Sequence, residues 1–428
     1  MSIDTQIAGA AAGPGRRVLR ILLAALTLTL SSFAIGAPAA AQDSRAKFTI
    51  GEQYKIHSAI LGEDRTFWVS FPASYASSKS YRRYPVLYVL DGDLFFEPFT
   101  GVVKQLSTDA TPLIPEMIVV GIDSLHRVRD STPTHSLIGP NGQQSKDWEE
   151  SGGGEAFQRF MGEELIPYVD AHFSSDHYRI LAGYSLTGVP VIHNLLAHPG
   201  MFNARIDLDG ALWWDNQLLL RLARRNLGRT RFDHSRLFIL TTAQRFPRPY
   251  ISVEPGGREF ASFLQRHPAP GLHVVHQEVT RETHHSLATI GLYEGLVSIF
   301  DGYMTSLDEL YLTPSKIPAR FSRLSAKLGH PFAPREDAID FFGYNFMRYL
   351  PQHEMGKALT FFKMNTIYYP RSPNAWASLG EADLETHDFK AAAGAFSHSL
   401  ALQPGFAKAE AGLRAVRDSS ARVGAAAK

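Results

Sequence analysis

Cysteine is absent from the 428-residue chain. That excludes a thiol nucleophile, a disulfide framework and a thiolate zinc site. An excess of either charge is missing too, since 43 basic residues stand against 42 acidic ones. With a formal charge of +1, no strong field exists to recruit nucleic acid or an acidic membrane. Beyond residue 41 there is no long uncharged apolar run, so no later membrane span is expected. What is present is ordinary for a globular protein, 44% hydrophobic and 20% charged residues, on a chain long enough for two or three domains.

Residues 1–41 carry the pattern of an export signal. Arg16, Arg17 and Arg20 precede an apolar stretch over 21–30, and Ala39-Ala40-Ala41 offers a small-residue cleavage site before Gln42. The apolar stretch is short for spanning a bilayer. A signal peptide over 1–41 is therefore expected, and with it a periplasmic or secreted mature protein with no membrane span.

Residues 48–61 alternate apolar and polar side chains, Gly62-Glu63-Asp64 reads as a turn, and 66–71 is rich in strand formers; together they predict an antiparallel hairpin. The pattern then changes to nearly continuous apolar runs at 85–90 and 117–122, followed by 178–182, 204–208, 237–241 and 272–276. Such runs fit strands buried on both faces. Helical periods separate several of them, most clearly over 154–173. Strands alternating with helices predict a parallel sheet covered on both sides, in the α/β-hydrolase arrangement, over residues 42–305. Prolines at 314, 318, 331 and 334 mark 306–335 as a linker. Over 336–428, Ala358, Phe362 and Pro370 recur as Ala392, Phe396 and Pro404 at the 34-residue period of a tetratricopeptide-like helical repeat. Such a module is either a site for a protein partner or a plain helical appendage.

The chemistry concentrates at Gly183-Tyr184-Ser185-Leu186-Thr187-Gly188. A serine between glycines, at a corner from a predicted strand to a predicted helix, is the layout of a nucleophile elbow. The corner strains the serine backbone and pushes its hydroxyl outward, and the next N–H, that of Leu186, points to the same spot. Ester hydrolysis or acyl transfer follows as the leading expectation. The base should be a histidine, because its pKa lies near working pH. Of 17 histidines, His284 and His285 lie on the loop after the last predicted strand, where this fold carries its base. The acid is expected after the strand at 237–241, where Glu254 is the first carboxylate and Glu259 the next, the latter inside a predicted helix. It would hold the imidazole's tautomer.

Four motifs carry a resemblance. Glu282-Thr283-His284-His285-Ser286 fits Glu-x-His-x-Ser; Leu90-Asp91-Gly92-Asp93 carries an Asp-Gly signature after a strand; Arg127-Val128-Arg129-Asp130-Ser131-Thr132-Pro133 and Ala211-Leu212-Trp213-Trp214 complete the set. Over residues 48–303 the chain resembles the putative-esterase family that includes enterochelin esterases, esterase D and the mycolyltransferases. The resemblance extends to the tail, since some relatives also end in tetratricopeptide-like repeats. It implies His284 as the base and the backbone N–H of Asp93 as the second oxyanion donor beside that of Leu186. One departure stands out: the family's elbow reads Gly-His-Ser-x-Gly-Gly, and here Tyr184 and Thr187 replace the histidine and the first trailing glycine. Thr187 either tilts the following helix or sets its hydroxyl beside the site.

Around this centre, Asp91, Arg127, Tyr184, Trp213 and Trp214 are candidates to line the substrate pocket. For each tryptophan the alternative is core packing, and for Arg127 a pair with Asp130. Asp91 and Asp93 have no histidine beside them, so no metal and no cofactor is expected. The expected substrate is a small-molecule ester, whether a siderophore, short-acyl or sugar ester or a thioester. Acyl transfer to an alcohol and a non-catalytic scaffold role for the tail are the rival expectations.

Overall fold

Apolar runs with no polar face are stable only as strands covered on both sides. The computed structural model describes residues 48–244 and 256–426 and covers them in that way. Strands β1 (Glu52–Ser58) and β2 (Glu63–Ser70) form the expected hairpin, in register from Glu52↔Val69 to Ser58↔Glu63. They lead into β3 (Tyr84–Val89), β4 (Ile118–Ile122), β5 (Ser175–Tyr184), β6 (Ala204–Leu208), β7 (Ser235–Thr242) and β8 (Leu272–Val279). The sheet order is β1-β2-β4-β3-β5-β6-β7-β8; the two pairings of β2 are antiparallel and the rest parallel. The mostly parallel, helix-covered α/β sheet is thus the one its sequence pattern calls for.

Alternate residues of each strand feed opposite faces. Leu87 and Val89 of β3, Ile180 and Ala182 of β5 and Phe238 and Leu240 of β7 pack under the Gly92–Ser107 and Leu287–Ile299 helices. Val86, Tyr88 and Leu181 face the opposite side, toward Phe157, Phe160 and Val169 of the predicted 154–173 helix. That helix spans 154–172 and widens into a π-turn over Phe160–Leu165. Pro167, one turn on, cannot donate to the carbonyl that a regular α-turn would offer it. Leu237 and Ile239 join a third cluster with the Gly188–Ala197, Trp214–Asn226 and Gly257–Arg266 helices.

Residues 306–335 differ from the linker expectation. They fold as helices Leu307–Leu312 and Ile317–Leu328. Ile317, Phe321, Leu324, Leu328 and Phe332 are buried in the cluster that also holds Leu87 and Phe238 of the sheet. The prolines mislead because Pro314 and Pro318 occupy first-turn positions, where a missing N–H costs a helix nothing. Ile50–Lys428 accordingly forms one compact unit.

The tail folds as helices Glu336–Tyr344, Met355–Tyr368, Pro373–Glu385, Phe389–Leu402 and Ala407–Ala426. Ala358, Phe362, Ala392 and Phe396, the recurring residues, are fully buried. Each aromatic lies over a glycine: a Cβ on Gly343 would stand 2.6 Å from the Phe362 ring, and one on Gly380 2.8 Å from Phe396. Helices approach closely at both glycines, although these lie 37 residues apart and so stand outside the 34-residue recurrence. Among the described residues no helix is long and apolar enough to cross a membrane.

Removing Phe321 or Leu328 side chains tests whether 306–335 belongs to the core. Phe321→Ala and Leu328→Ala should each destabilise the whole unit by about 2–5 kcal/mol, lowering a single unfolding transition in urea. A separate early transition of the tail, with the sheet's own midpoint unmoved, would restore the linker reading.

Candidate active site

Strand β5 ends at Tyr184, and Ser185 turns the chain into the Gly188–Ala197 helix with a φ of 56°. The left-handed region is unfavourable for a residue with a Cβ. The turn holds because the neighbours leave it room. A Cβ on Gly183 would lie 2.2 Å from the carbonyl oxygen of Thr187, and one on Gly188 2.2 Å from Asp207 Oδ1. Only glycine permits either approach. The Ala211 N–H donates to the Ser185 carbonyl at 2.8 Å and pins the corner from β6's side.

His284 comes from the loop between β8 and the Leu287–Ile299 helix. Its Nε2 lies 3.0 Å from Ser185 Oγ, and its Nδ1 lies 2.7 Å from Asp209 Oδ2. A carboxylate at Nδ1 fixes the proton there, so Nε2 is left to accept from the serine hydroxyl. The loop is tied by its own motif, with Ser286 Oγ donating to Glu282 Oε2 at 2.6 Å. His284 N–H donates to Gln244 Oε1 at 3.0 Å. The Tyr184 hydroxyl donates to the His284 carbonyl at 2.7 Å, and its ring stacks on the imidazole with centroids 4.9 Å apart. Burial, then the nearby Asp209 charge, pushes the Tyr184 phenol up to about 12, so it stays a donor at neutral pH. His285 is exposed and meets His284 only edge-on.

Asp209 was not among the residues singled out from the sequence. It lies one residue past β6, with a φ of 51°, and its carboxylate is buried. Its Oδ1 accepts from the Thr242 N–H at 3.3 Å. The signal was present in Leu208-Asp209-Gly210, a carboxylate just beyond the strand beside the serine's own. Glu254 lies outside the described residues. Glu259 is directed elsewhere, accepting from Gln217 Nε2 at 2.7 Å and pairing with Arg224 at 3.4 Å.

Asp93 is the second residue of the Gly92–Ser107 helix. N–H groups of a first helical turn have no intrahelical acceptor, and the Leu186 N–H follows Ser185 on the elbow. The remaining candidates divide. Asp91 is only 3% exposed, and its carboxylate is forked by Arg127 through Nε at 2.8 Å and Nη2 at 2.9 Å. Arg127 therefore pairs with Asp91 and not with Asp130. Trp214 is fully buried, with Nε1 donating to Thr134 Oγ1 at 3.3 Å, so its ring is committed to the core and does not line a pocket. Trp213 is partly exposed and meets Trp148 edge-on at 5.8 Å.

Behind Arg127, a partly buried ion network braces the loop that follows β4. Arg129 donates to Glu63 at 2.6 and 3.0 Å and to Asp130 at 2.8 Å, while Arg65 donates to Asp130 at 2.6 Å. The Arg129 hydrogen bonds hold the Glu63 carboxyl down at about 2. A carboxyl depressed on folding stabilises the protein above its unfolded value, and that stabilisation disappears as pH falls through the folded value. Glu63→Gln should therefore cost roughly 1.5–3 kcal/mol at pH 7. In melting experiments the deficit against wild type should narrow below about pH 4.5 and vanish near 2. A deficit independent of pH over that range would show that the charge is not what matters.

The comparisons with known proteins point to esterases. The family model described as Putative esterase matches residues 58–284, just over half of the chain. A curated relative, the ferri-bacillibactin esterase BesA of Bacillus subtilis, is 27% identical over 255 residues, covering 57% of this chain and 88% of its own length. The siderophore enterobactin esterase of Emericella nidulans is 26% identical over 172 residues, 37% of this chain and 56% of that protein. Among solved structures, an IroE-like serine hydrolase from Shewanella oneidensis superposes with a TM-score of 0.67 at 26% identity, over 74% of this chain and 99% of its own.

Proposed function

The chain belongs to the putative-esterase family and is a carboxylic ester hydrolase, and on that premise we propose that it works through Ser185, His284 and Asp209 by way of an acyl-enzyme. Ser185 Oγ attacks the ester carbonyl as His284 Nε2 takes its proton. Asp209 keeps the imidazole in the right tautomer and stabilises the imidazolium. The N–H groups of Leu186 and Asp93 receive the developing oxyanion, each worth about 3 kcal/mol in the transition state. His284 then returns the proton to the leaving alcohol, and water, deprotonated by the same imidazole, releases the acid. The observation that carries this reading is the continuous line of contacts, 3.0 Å from serine to imidazole and 2.7 Å from imidazole to carboxylate.

The substrate class we assign is a siderophore ester, on the strength of the two curated relatives' names. From the export pattern of residues 1–41 we assign the reaction to the periplasm or the outside of the cell. No cofactor enters the mechanism.

Two measurements test the proposal. A fluorophosphonate probe should label the wild type and not Ser185→Ala, and Ser185→Ala should lose at least about a thousandfold in kcat on ferri-bacillibactin, enterobactin and p-nitrophenyl acetate. Asp209→Asn should lose roughly 100- to 10,000-fold in kcat, while Glu254→Gln stays near wild type. Equal labelling of Ser185→Ala would remove the serine from its role. A silent Asp209→Asn beside a crippled Glu254→Gln would move the acid to the other carboxylate.

A further inference from the structure

The two N–H groups assigned to the oxyanion belong to different segments. Leu186 is on the elbow after β5, and Asp93 is in the first turn of the helix after β3. The strands are hydrogen-bonded neighbours, in register at Val89↔Ala182, but both chains leave the sheet before they reach the donors. Sheet pairing alone therefore does not fix the gap between them. A side-chain bridge spans it. Thr187 Oγ1 accepts from the Tyr184 N–H at 3.0 Å and lies 3.0 Å from Asp91 Oδ2 and 2.9 Å from the Tyr184 carbonyl. A threonine hydroxyl has one proton, and a carboxylate is the stronger acceptor of the two. Asp91 is the residue from which the Gly92–Ser107 helix starts, at a φ of 52°, and Arg127 holds its carboxylate with a two-pronged fork. Thr187 and Asp91 are 4% and 3% exposed, so water offers little competition for these bonds. The helix start approaches β4 closely at Gly92, where a Cβ would lie 2.6 Å from the Gly121 carbonyl carbon.

From this geometry we infer that Thr187, with Asp91 and Arg127, is a positioning brace that sets the spacing of the two oxyanion donors. The inference rests on Ser185 being the nucleophile. It assigns a task to the threonine that stands where the elbow pattern of similar chains has glycine. The oxyanion exists only in the transition state, so a loosened brace should lower kcat and leave KM nearly unchanged. It should also weaken phenylboronic acid, whose tetrahedral adduct on a serine carries oxygen at the same position.

The test compares Thr187→Val, which keeps the side chain's shape and loses the hydroxyl, with Thr187→Ser, which keeps the hydroxyl. On p-nitrophenyl acetate, Thr187→Val should lose about 10- to 100-fold in kcat with KM within about twofold, and should bind phenylboronic acid weaker by a similar factor. Thr187→Ser should recover most of both. Arg127→Lys, a charge without the fork, gives a second reading on a more exposed side chain and should lose kcat in the same sense. If Thr187→Val keeps its kcat, or if serine fails to rescue it, the brace is wrong while the nucleophile stands. If Ser185→Ala keeps the wild-type rate, the nucleophile falls and the brace falls with it.

Discussion

Three strands of the central sheet each end in a residue turned to the left-handed backbone region: Asp91 beyond β3, Ser185 beyond β5 and Asp209 beyond β6, with φ of 52°, 56° and 51°. Each such residue carries a Cβ and costs of order 1–3 kcal/mol in backbone strain. The three strands lie side by side, and Tyr184↔Leu208 is the last paired position before two of the turns. The strain therefore falls along one edge of one sheet, where parallel pairing anchors the chain up to the residue before each turn. Buried strands supply the rigidity, and the turned residues carry the side chains that converge on one end of the sheet. A sheet less completely covered could not hold three such turns in fixed relation.

This arrangement explains what the sequence made readable. Ser185 was legible because everything that presents it is local: the apolar strand before, the glycines on either side and the helix after. His284 was legible because its loop follows the last strand and carries its own tether, Glu282 to Ser286. Asp209 was not, because its qualification is a distance across the sheet. The one local hint is that Asp207 lies inside β6 and Asp209 just beyond it, and that alone does not say which carboxylate an imidazole faces. Asp207 is fully buried, with its carboxyl pushed well above the ordinary range by desolvation. What decides between the two is which segment lies opposite. Trp213 and Trp214 pose the same problem, as adjacent rings of which one is committed to the core and the other remains partly exposed.

The C-terminal helices follow from a different constraint. A helical hairpin buries one face against its partner and needs a neighbour for the other. Here a neighbour is supplied by Ile317–Leu328, whose Phe321 meets Tyr368 of the tail edge-on with ring centroids 6.4 Å apart. Polar ties cross the same junction: the Tyr369 hydroxyl donates to the Pro334 carbonyl at 2.7 Å, and the Arg335 guanidinium donates to the Ser107 carbonyl. Ser107 ends the helix whose first turn carries Asp93. The junction thus bears on the far end of that helix.

Tyr184 shows how a departure from a familiar motif can preserve the motif's purpose. A histidine in that place would titrate near neutral pH, beside an imidazole whose own proton must be controlled. The phenol does not: raised to about 12, it remains a hydroxyl donor across the working range. Its bond to the His284 carbonyl fixes the backbone of the loop, and its ring fixes the tilt of the imidazole. Phe95 packs edge-on behind that ring at 5.3 Å, so the stack is itself supported from the core. Orientation of the His284 imidazole is thereby carried by a group that stays uncharged across the working range. The elbow's other substitution, Thr187, bonds to the Tyr184 backbone from below. The two departures are neighbours, but the bond between them uses only backbone atoms of residue 184, so each side chain acts on its own: the phenol on the His284 loop and the threonine hydroxyl on the elbow and Asp91.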